Sequence, residues 1–411
     1  MRKIVNNFVI IGGGLAAGQA AEALRTHGHN GPLTIIGDEP ERPYVRPPLS
    51  KGYLLGKDTR DSLFVHPERW YQEHNVELLL GKRARSVDWR ARRVELDDGI
   101  QVPYAKLLLA TGSSPRLLTV PGADLANVLY LRRIGDSKRL RSAFKAGAKV
   151  VVIGAGWIGL ETAAAARMAG AEVTVLEHSG LPLLKALGRE AAEVFAALHT
   201  DHGVDLLPNV EVASLTGAQG RVVGVQLVDG RHISADCVVV GIGITPNDQI
   251  ARNAGLDVRN GIVTDEHLQT SIPHVYAAGD VANAYHPRYG RHLRVEHWAN
   301  ALHQPEIAAL SMLGRDAAYL RLPYFYTDQY DLGMEYTGYT EPGAYDRVVF
   351  RGERSTREFI AFWMAGKRVV AGMSVNVWDV IDPIRSIIET GSEMDDTRLA
   401  DLKIPLDQLI S

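Results

Sequence analysis

The 411-residue sequence contains a single cysteine, Cys237. No disulfide can form within this chain, so it is neither a disulfide-stabilised secreted fold nor an enzyme with a redox-active cysteine pair. One thiol also cannot supply an iron–sulfur cluster or a cysteine-rich zinc site. Cys237 lies in the mostly apolar run Ala235–Val240, and it is therefore predicted to be an inert residue of a buried strand.

The sequence also lacks an excess of charge of one sign and any long apolar run. Lys and Arg number 45 against 48 Asp and Glu, a formal net charge of −3, which argues against a dedicated nucleic-acid-binding protein. No stretch approaches the roughly 18 consecutive apolar residues of a transmembrane helix. The apolar run near the N-terminus, Phe8–Ile11, is too short for a signal peptide. These absences predict a cytoplasmic globular protein with no metal site, no nucleic-acid partner and no membrane partner.

Glycine is frequent, with 40 residues, and two glycine-rich turns lie in similar surroundings. Each turn follows a short apolar strand, opens an alanine-rich helix and precedes a second strand that ends in a carboxylate. The first copy runs from Phe8 to Asp38 and the second from Lys149 to Glu177. From Pro323 onward the pattern changes to alternating hairpins. The sequence therefore predicts an α/β fold with two Rossmann-like dinucleotide-binding domains, as in glutathione reductase, and a C-terminal α+β domain.

The two turns match the dinucleotide-binding fingerprint, Gly12-x-Gly14-x-x-Ala17 and Gly154-x-Gly156-x-x-Gly159. The first glycine permits the tight turn, and the second lets the backbone approach a pyrophosphate. The third small residue keeps the helix close to the strand, so that the N-terminus of the helix faces the phosphates. Two complete copies in one chain predict two nucleotide sites.

A carboxylate follows each fingerprint at the distance expected for a ribose ligand. Asp38 and Glu177 would accept hydrogen bonds from a ribose hydroxyl. Glu177 would repel a 2′-phosphate, and the next residues, His178–Gly180, include no Lys or Arg. The second site is therefore predicted to prefer NAD over NADP. The alternative is that Glu177 only ends a solvent-exposed strand. A third acid, Asp280, follows the strand-like run Val275–Ala277 and could hold the ribityl hydroxyls of a flavin.

Several runs together resemble one family. The runs are GDEPERPYVRPPLSKGYL, ATGSSPR, GAGWIGLE, GIGITPN, AAGDVA, RVEHWANALHQ and PYFYTDQYDLG. They resemble the NADH:ferredoxin reductases of bacterial oxygenase systems, whose relatives include putidaredoxin reductase and the apoptosis-inducing flavoproteins. The resemblance covers essentially the whole chain. It implies an FAD enzyme that takes hydride from NADH and passes single electrons to a small 2Fe–2S ferredoxin, which serves a haem or ring-hydroxylating oxygenase.

The resemblance also implies an order of domains. Residues 1–115 would be the first part of the FAD-binding domain and residues 116–242 the NAD-binding domain. Residues 243–322 would complete the FAD-binding domain, and residues 323–411 would form the C-terminal α+β interface domain. The protein would be a monomer or a homodimer.

Site residues are implied by the same resemblance. The implied FAD contacts are Gly12, Gly14, Leu15, Ala16, Asp38, Lys51, Ala84, Thr111, Gly112, Arg132, Asp280 and Trp298. The implied NADH contacts are Gly154, Gly156, Trp157, Ile158, Gly159, Glu177 and Gly243. Lys51 would reach the region of flavin N5 and pair with Glu161, and these two residues are the predicted catalytic residues.

The sequence departs from the family pattern in the last domain. Tyr324, Tyr326 and Thr327 stand where the family often has the two tryptophans and the serine of PWFWSDQ. That segment faces the electron acceptor in the family, so the identity of the acceptor is open. Leu181 replaces an arginine that often follows the NAD ribose acid, which predicts weaker nucleotide affinity. Trp157 could gate the nicotinamide.

Two other functions share this fold. A peroxide- or oxygen-reducing NADH oxidase would need a redox cysteine beside the flavin, and the run Pro40–Leu55 has none. An NADH-responsive signalling flavoprotein, like the apoptosis-inducing relatives, would instead show weak reductase activity. The densest basic run, His286–Arg294, is either a dock for an acidic ferredoxin or an ordinary solvated hairpin.

Overall fold

The structure, a computed structural model, describes residues 6–409. The strands, numbered along the chain, are β1 (Phe8–Ile11), β2 (Leu33–Gly37), β3 (Val76–Leu80), β4 (Ala84–Asp88), β5 (Arg93–Leu96), β6 (Gln101–Pro103), β7 (Lys106–Leu109), β8 (Ser113–Pro115), β9 (Val128–Leu129), β10 (Lys149–Ile153), β11 (Glu172–Leu176), β12 (Asp205–Leu207), β13 (Val212–Ala218), β14 (Arg221–Leu227), β15 (His232–Ser234), β16 (Cys237–Val240), β17 (Ile244–Pro246), β18 (Ile262–Thr264), β19 (Val275–Ala277), β20 (Ala282–His286), β21 (Arg291–Leu293), β22 (Tyr324–Gln329), β23 (Leu332–Gly338), β24 (Arg347–Glu353), β25 (Glu358–Ala365) and β26 (Arg368–Val375). The α-helices are α1 (Leu15–Thr26), α2 (Glu68–Glu73), α3 (Ile134–Ala143), α4 (Trp157–Met168), α5 (Leu184–Leu187), α6 (Arg189–Asp201), α7 (Gln249–Asn253), α8 (Trp298–Met312), α9 (Ile381–Thr390) and α10 (Asp396–Ala400).

The described chain divides into two compact units. Unit 1 contains the residues up to Pro47, Thr59–Ser114 and Ile244–Arg321. Unit 2 contains Pro48–Asp58, Pro115–Gly243 and the residues from Leu322 onward. The segment Pro48–Asp58, which carries Lys51, therefore belongs to unit 2. The predicted domains are defined by the cofactor that each would bind, whereas the two units are compact regions of the folded chain. The predicted domain ranges therefore stay a prediction.

Unit 1 is built on a parallel sheet of five strands in the order β19–β7–β1–β2–β3. The central strand β1 is buried at all four positions, as expected for a parallel sheet covered on both faces. Helix α1 packs its alanine-rich side against α8, and the buried residues of this contact include Ala17, Ala21, Ala308 and Met312. The small alanines let the helix lie close to the sheet. This is the predicted strand–turn–helix unit of the first fingerprint.

Unit 2 contains a second parallel sheet of five strands, in the order β12–β11–β10–β16–β9. It also contains an antiparallel sheet of five strands, in the order β22–β23–β26–β25–β24. One hydrophobic cluster includes residues of both sheets and of α6, among them Val173, Phe195 and Trp363. Trp363 is completely buried, and its indole Nε1 donates a hydrogen bond to the carbonyl oxygen of Leu187, at 3.1 Å. The two sheets of unit 2 therefore share a core.

The α/β fold with two Rossmann-like sheets and a C-terminal antiparallel sheet confirms the predicted fold class. Cys237 lies in β16 and is buried. Burial raises the pKa of its thiol to about 12, which suppresses the reactive thiolate. The residues that the structure describes include no helix that is long and apolar enough to cross a membrane.

Candidate functional site

The first fingerprint turn joins β1 to α1 in unit 1. Gly12 has a φ of +131°, and a Cβ at this position would lie 2.0 Å from the carbonyl oxygen of Ala110. Only glycine fits such a position without a change in the backbone. At Gly14 the surroundings differ, because a Cβ there would meet only Arg46 Nη2, at 4.0 Å. The N-terminus of α1, with Leu15 and Ala16, thus has open space and a nearby cation, which fits a diphosphate group.

The structure brings the two residues predicted for the adenosine end close together. Asp38 follows β2 and is exposed, and Arg83 Nη2 lies 3.8 Å from its Oδ2. The backbone N–H of Lys82 donates to the carbonyl oxygen of Gly37, at 2.9 Å. Ala84, the first residue of β4, follows directly. Asp38 is therefore presented beside the backbone of residues 82–84, as the resemblance implies.

Thr111, Gly112 and Asp280 form one hydrogen-bonded group in unit 1. Thr111 Oγ1 donates to the carbonyl oxygen of Asn247 at 2.7 Å, and Asn247 Nδ2 donates back to the carbonyl oxygen of Thr111 at 2.9 Å. The backbone N–H of Asn247 donates to the carbonyl oxygen of Gly112, at 2.9 Å. Ser113 Oγ donates to Asp280 Oδ2, at 2.7 Å. Asn247 and Ser113 thus position the predicted residues. Both lie in runs that carry the family resemblance, GIGITPN and ATGSSPR.

The polar group that surrounds Arg46 was not predicted from the sequence. Glu39 is buried, and its carboxylate accepts hydrogen bonds from Tyr44 Oη at 2.7 Å and from Arg46 Nη2 at 3.0 Å. Arg46 Nη1 also donates to Tyr44 Oη, at 2.8 Å. The proline-rich run that holds these residues predicts only a loop. The spacing of the prolines does not indicate that the buried Glu39 carboxylate orients the Arg46 guanidinium.

The N-terminus of α8 contributes the last group of unit 1. Trp298 is the first residue of this helix and is half-buried. The preceding residue, His297, is strongly desolvated. Burial lowers the pKa of His297 to about 4, although the negative charge of Asp280 opposes the shift. The imidazole beside Trp298 is therefore neutral at pH 7.

The second fingerprint turn has the same construction in unit 2. Gly154 has a φ of +96°, and a Cβ there would lie 2.6 Å from the carbonyl oxygen of Gly241. A Cβ at Gly159 would lie 2.0 Å from the carbonyl oxygen of Gly154. Gly156 and Gly243 are open: a Cβ at Gly156 would meet only Gly241 O at 3.9 Å, and nothing lies within 4 Å at Gly243. The open side of this turn fits a second dinucleotide.

The Glu177 carboxylate is held against this turn. Its Oε2 accepts a hydrogen bond from the backbone N–H of Ala155 at 2.8 Å, and its Oε1 accepts one from the N–H of Ser179 at 2.7 Å. Glu177 is therefore fixed beside the fingerprint and does more than end a strand. This placement favours the predicted ribose contact.

Trp157 and Ile158 begin helix α4. The ring of Trp157 contacts Phe195 edge to face, with centroids 5.6 Å apart, and Phe325 at 5.0 Å. The Trp157 ring is thus packed between α6 and β22, and a gating movement stays a prediction. Ile158 is 41% exposed, which leaves it accessible to a ligand.

Lys51 and Glu161 form an ion pair in unit 2. Glu161 lies on α4 and is only 4% exposed. Its Oε1 accepts hydrogen bonds from Lys51 Nζ at 2.5 Å and from Thr327 Oγ1 at 2.6 Å, and Ser50 Oγ donates to Oε2. Three hydrogen-bond donors thus hold one buried carboxylate. The predicted pair is thus present, while its catalytic role stays a prediction.

Strand β22 and the basic hairpin carry the residues that bear on the acceptor. Tyr324 Oη donates to Glu335 Oε1 at 2.6 Å, and Lys51 Nζ lies 5.4 Å from the centroid of the Tyr326 ring. Both tyrosine side chains therefore contact other residues of unit 2. Arg288 and Arg291 are exposed on the β20–β21 hairpin of unit 1. This is compatible with a dock or with a solvated hairpin.

Unit 2 also contains Arg132, between β9 and α3. Its backbone N–H donates to Asp136 Oδ2, at 2.9 Å. Lys51 and Arg132 are thus in unit 2, whereas the other predicted FAD residues are in unit 1. Within the described part of the chain, no group of three or more His, Cys, Asp or Glu side chains is arranged to hold a metal ion.

Comparison with known proteins gives consistent matches. Residues 6–304 match the family described as pyridine nucleotide-disulphide oxidoreductase, and residues 324–410 match the family described as reductase C-terminal. The chain is 42% identical over 370 residues to rhodocoxin reductase of Rhodococcus erythropolis, which covers 90% of this chain and 86% of the relative. It is 40% identical over 402 residues to the ferredoxin–NAD(+) reductase component of the anthranilate 1,2-dioxygenase system of Burkholderia cepacia, covering 97% and 98%. The crystal structure of the covalent putidaredoxin reductase–putidaredoxin complex is similar, with a TM-score of 0.95, 35% identity and 98% of both chains covered.

Proposed function

Because this chain belongs to the pyridine nucleotide-disulphide oxidoreductase family and also carries the reductase C-terminal domain, we propose that it is an FAD-dependent ferredoxin–NAD(+) reductase. It takes reducing equivalents from NADH and passes them to a small iron–sulfur ferredoxin of an oxygenase system. One relative is named as such a component of a dioxygenase system, and one similar structure is a complex of a reductase with putidaredoxin.

The observation that carries this proposal is the pair of glycine turns, one in each unit. Each turn has an internal glycine that no other residue can replace and an open glycine beside a helix N-terminus. Each also has a carboxylate at the end of the next strand, Asp38 in unit 1 and Glu177 in unit 2. Two such turns are what an enzyme needs to bind a flavin dinucleotide and a nicotinamide dinucleotide.

FAD, when bound, supplies the conversion of a hydride into single electrons, which no amino-acid side chain can provide. In unit 1 the N-terminus of α1 and the Arg46 guanidinium would bind its diphosphate. Asp38 and Asp280 would accept hydrogen bonds from its hydroxyl groups. Ser113 fixes the Asp280 carboxylate for this purpose.

Lys51 supplies a fixed positive charge to the reductive half-reaction. A preorganised cation stabilises negative charge that develops during reduction. Glu161 holds the Lys51 ammonium, and the donors around Glu161 hold the carboxylate. Because one cysteine cannot form a disulfide, this chain has no dithiol relay like that of the disulfide reductases.

The named relatives favour the reductase over an NADH-responsive signalling flavoprotein. Both curated relatives are reductases, and one belongs to an oxygenase system. A cytoplasmic location and the preference for a 2Fe–2S ferredoxin stay predictions.

Purified protein is expected to carry one non-covalent FAD per chain and to reduce a 2Fe–2S ferredoxin with NADH. Acid precipitation should release FAD into the supernatant, and turnover should be followed with ferredoxin and with ferricyanide in parallel. Release of FMN, or flavin that stays in the precipitate, would contradict the cofactor assignment. If the protein reduces ferricyanide rapidly but reduces none of the tested ferredoxins, the assigned acceptor is contradicted.

Glu177 is expected to make NADH the better substrate. Its carboxylate repels a 2′-phosphate, and kcat/KM should favour NADH over NADPH by about 10- to 100-fold, as for a mismatched buried polar group. Glu177→Gln removes the charge but leaves one acceptor oxygen for the two backbone N–H groups of Ala155 and Ser179, so it should weaken NADH binding somewhat and narrow this ratio. Glu177→Arg should reverse it. Equal use of the two nucleotides by the parent protein would refute the assignment.

A further inference from the structure

A chain of hydrogen bonds runs from Glu161 through β22 to α6, entirely within unit 2. Thr327 Oγ1 donates to Glu161 Oε1 at 2.6 Å, and Gln329 Nε2 donates to Thr327 Oγ1 at 3.1 Å. His199 Nε2 lies 2.8 Å from Gln329 Oε1. Thr327 and His199 are 0% exposed and Gln329 is 1% exposed. Because water cannot replace a lost partner at this depth, each bond must be made by these side chains.

The chemistry of the groups fixes the direction of every bond. A carboxylate oxygen accepts hydrogen bonds, so Thr327 donates its single hydroxyl hydrogen to Glu161. Thr327 Oγ1 must then accept from the amide nitrogen of Gln329. The amide oxygen of Gln329 consequently faces His199, and His199 must carry its proton on Nε2. All donors therefore point towards Glu161.

His199 is suited to end this chain as a neutral group. Burial lowers the pKa of His199 to about 4, and the hydrogen bond to Gln329 only partly opposes the shift. Its Nδ1 is buried and has no hydrogen-bond partner among the residues that the structure describes. A proton on Nδ1 would therefore be desolvated without compensation. His199 thus stays in the Nε2-protonated tautomer.

Strand β22 contacts both members of the ion pair. Thr327 binds the Glu161 carboxylate, and the ring of the preceding residue, Tyr326, lies 5.4 Å from the Lys51 ammonium. Two adjacent residues of one strand thus contact both members of the pair. Ser50 binds the other carboxylate oxygen, and it is the last residue of the short turn Pro47–Ser50, directly before Lys51. Thr327 ties Glu161 to β22 through the same oxygen that Lys51 uses.

We propose that Thr327 and Gln329 are positioning residues for Lys51. They hold the Glu161 carboxylate in the orientation that binds the ammonium group, and so they fix the position of that positive charge. This inference rests on the proposed function, since Lys51 has its role in the reductase. Besides Lys51, the titratable groups Tyr326 and Asp328 of β22 also interact electrostatically with Glu161.

The test compares Thr327→Val, which removes the hydroxyl and keeps the shape, with Thr327→Ser, which keeps the hydroxyl. Thr337→Val is the matched control, because Thr337 is 0% exposed on the neighbouring strand β23 and its hydroxyl has no partner among the described residues. Stopped-flow reduction of the flavin by NADH is measured across pH, together with the affinity for NAD⁺. The hydrogen-bonding environment of the Glu161 carboxylate is followed independently by its carboxyl-carbon NMR resonance.

Thr327→Val is expected to slow flavin reduction roughly tenfold, as for one lost hydrogen bond to a charged group. NAD⁺ affinity should stay the same, and the carboxyl-carbon resonance of Glu161 should move, because its carboxylate loses one hydrogen-bond donor. Thr327→Ser should restore both properties, and Thr337→Val should leave both unchanged. Gln329→Met, which removes the donor to Thr327, should give a smaller shift in the same direction.

Two results would overturn the proposal. One is a parental rate and a parental Glu161 carboxyl resonance in Thr327→Val. The other is an equal loss in Thr327→Val and Thr337→Val, which would indicate a packing effect. If NADH fails to reduce the flavin of the parent protein, the proposed function fails. The Glu161 carboxyl resonance then still decides whether Thr327 holds the carboxylate.

Discussion

Lys51→Ala is expected to slow the reduction of the flavin by NADH by about 100-fold, the loss typical for removal of one preorganised electrostatic contact. The loss should be the same with ferricyanide and with ferredoxin as acceptor, because it precedes the acceptor step. Stopped-flow absorbance of the flavin measures it directly. Lys57→Ala is the matched control, since Lys57 is an exposed lysine of the same segment, Pro48–Asp58, and it should reduce at the parental rate.

The same variant separates charge from packing. Lys51→Ala leaves Glu161 as a buried carboxylate without its cation, which is expected to cost about 3–5 kcal/mol of stability. Combining Lys51→Ala with Glu161→Gln removes the orphaned charge, so the double variant should regain much of the free energy of unfolding. Flavin reduction should stay slow in the double variant. Recovery of the rate together with the stability would show that Lys51 acts only on folding.

Gly12→Ala is expected to abolish stable FAD binding, whereas Gly13→Ala should leave it intact. A Cβ at Gly12 would lie 2.0 Å from a backbone oxygen, and its φ of +131° is unfavourable for alanine. A Cβ at Gly13 would meet only the Cα of Gly37, at 3.4 Å, which is an ordinary contact. The second fingerprint already has Ala155 at the position that corresponds to Gly13.

Flavin content per chain after gel filtration measures this difference between neighbouring glycines. The Gly12→Ala protein should retain less than about a tenth of the parental FAD. The added methyl group forces a shift of the backbone, and the resulting strain destabilises both the fold and the FAD site. NAD⁺ binding, which depends on the fingerprint of unit 2, should persist in both variants. Full FAD occupancy in Gly12→Ala, or an equal loss in the two variants, would contradict the assignment of this turn to FAD.

Local sequence patterns predicted the structure of the two glycine turns well. A strand, a glycine turn and an alanine-rich helix are contiguous, and each step has a short-range physical cause. The fold class followed from these two units and from the change of pattern at Pro323. The ion pair of Lys51 and Glu161 is a different case, because the two residues are 110 residues apart. No spacing rule links them, and only the family resemblance joined them.

Apart from the local group around Arg46, the polar partners of Glu161 on β22 and α6 were not predicted, and their contacts are buried and long-range. His199 and Gln329 are 130 residues apart, and Thr327 and Glu161 are 166 residues apart. In the sequence, Thr327 and Gln329 also look like ordinary polar residues of a strand. Their positioning role depends on which elements pack against that strand. That packing is a property of the fold rather than of the local sequence.

The core shared by the two sheets of unit 2 limits how the electron acceptor can be exchanged by protein engineering. A chimera that takes the last 90 or so residues, about the size of one small domain, from a relative would also replace Phe325, Thr327 and Trp363. These residues contact Trp157, Glu161 and Leu187 of the retained portion. A graft chosen only for its outer surface would thus disturb the hydride side of the enzyme. A working exchange must transplant β22 together with its partners on α4 and α5, or keep the inward-facing residues of this chain and redesign only the outward ones.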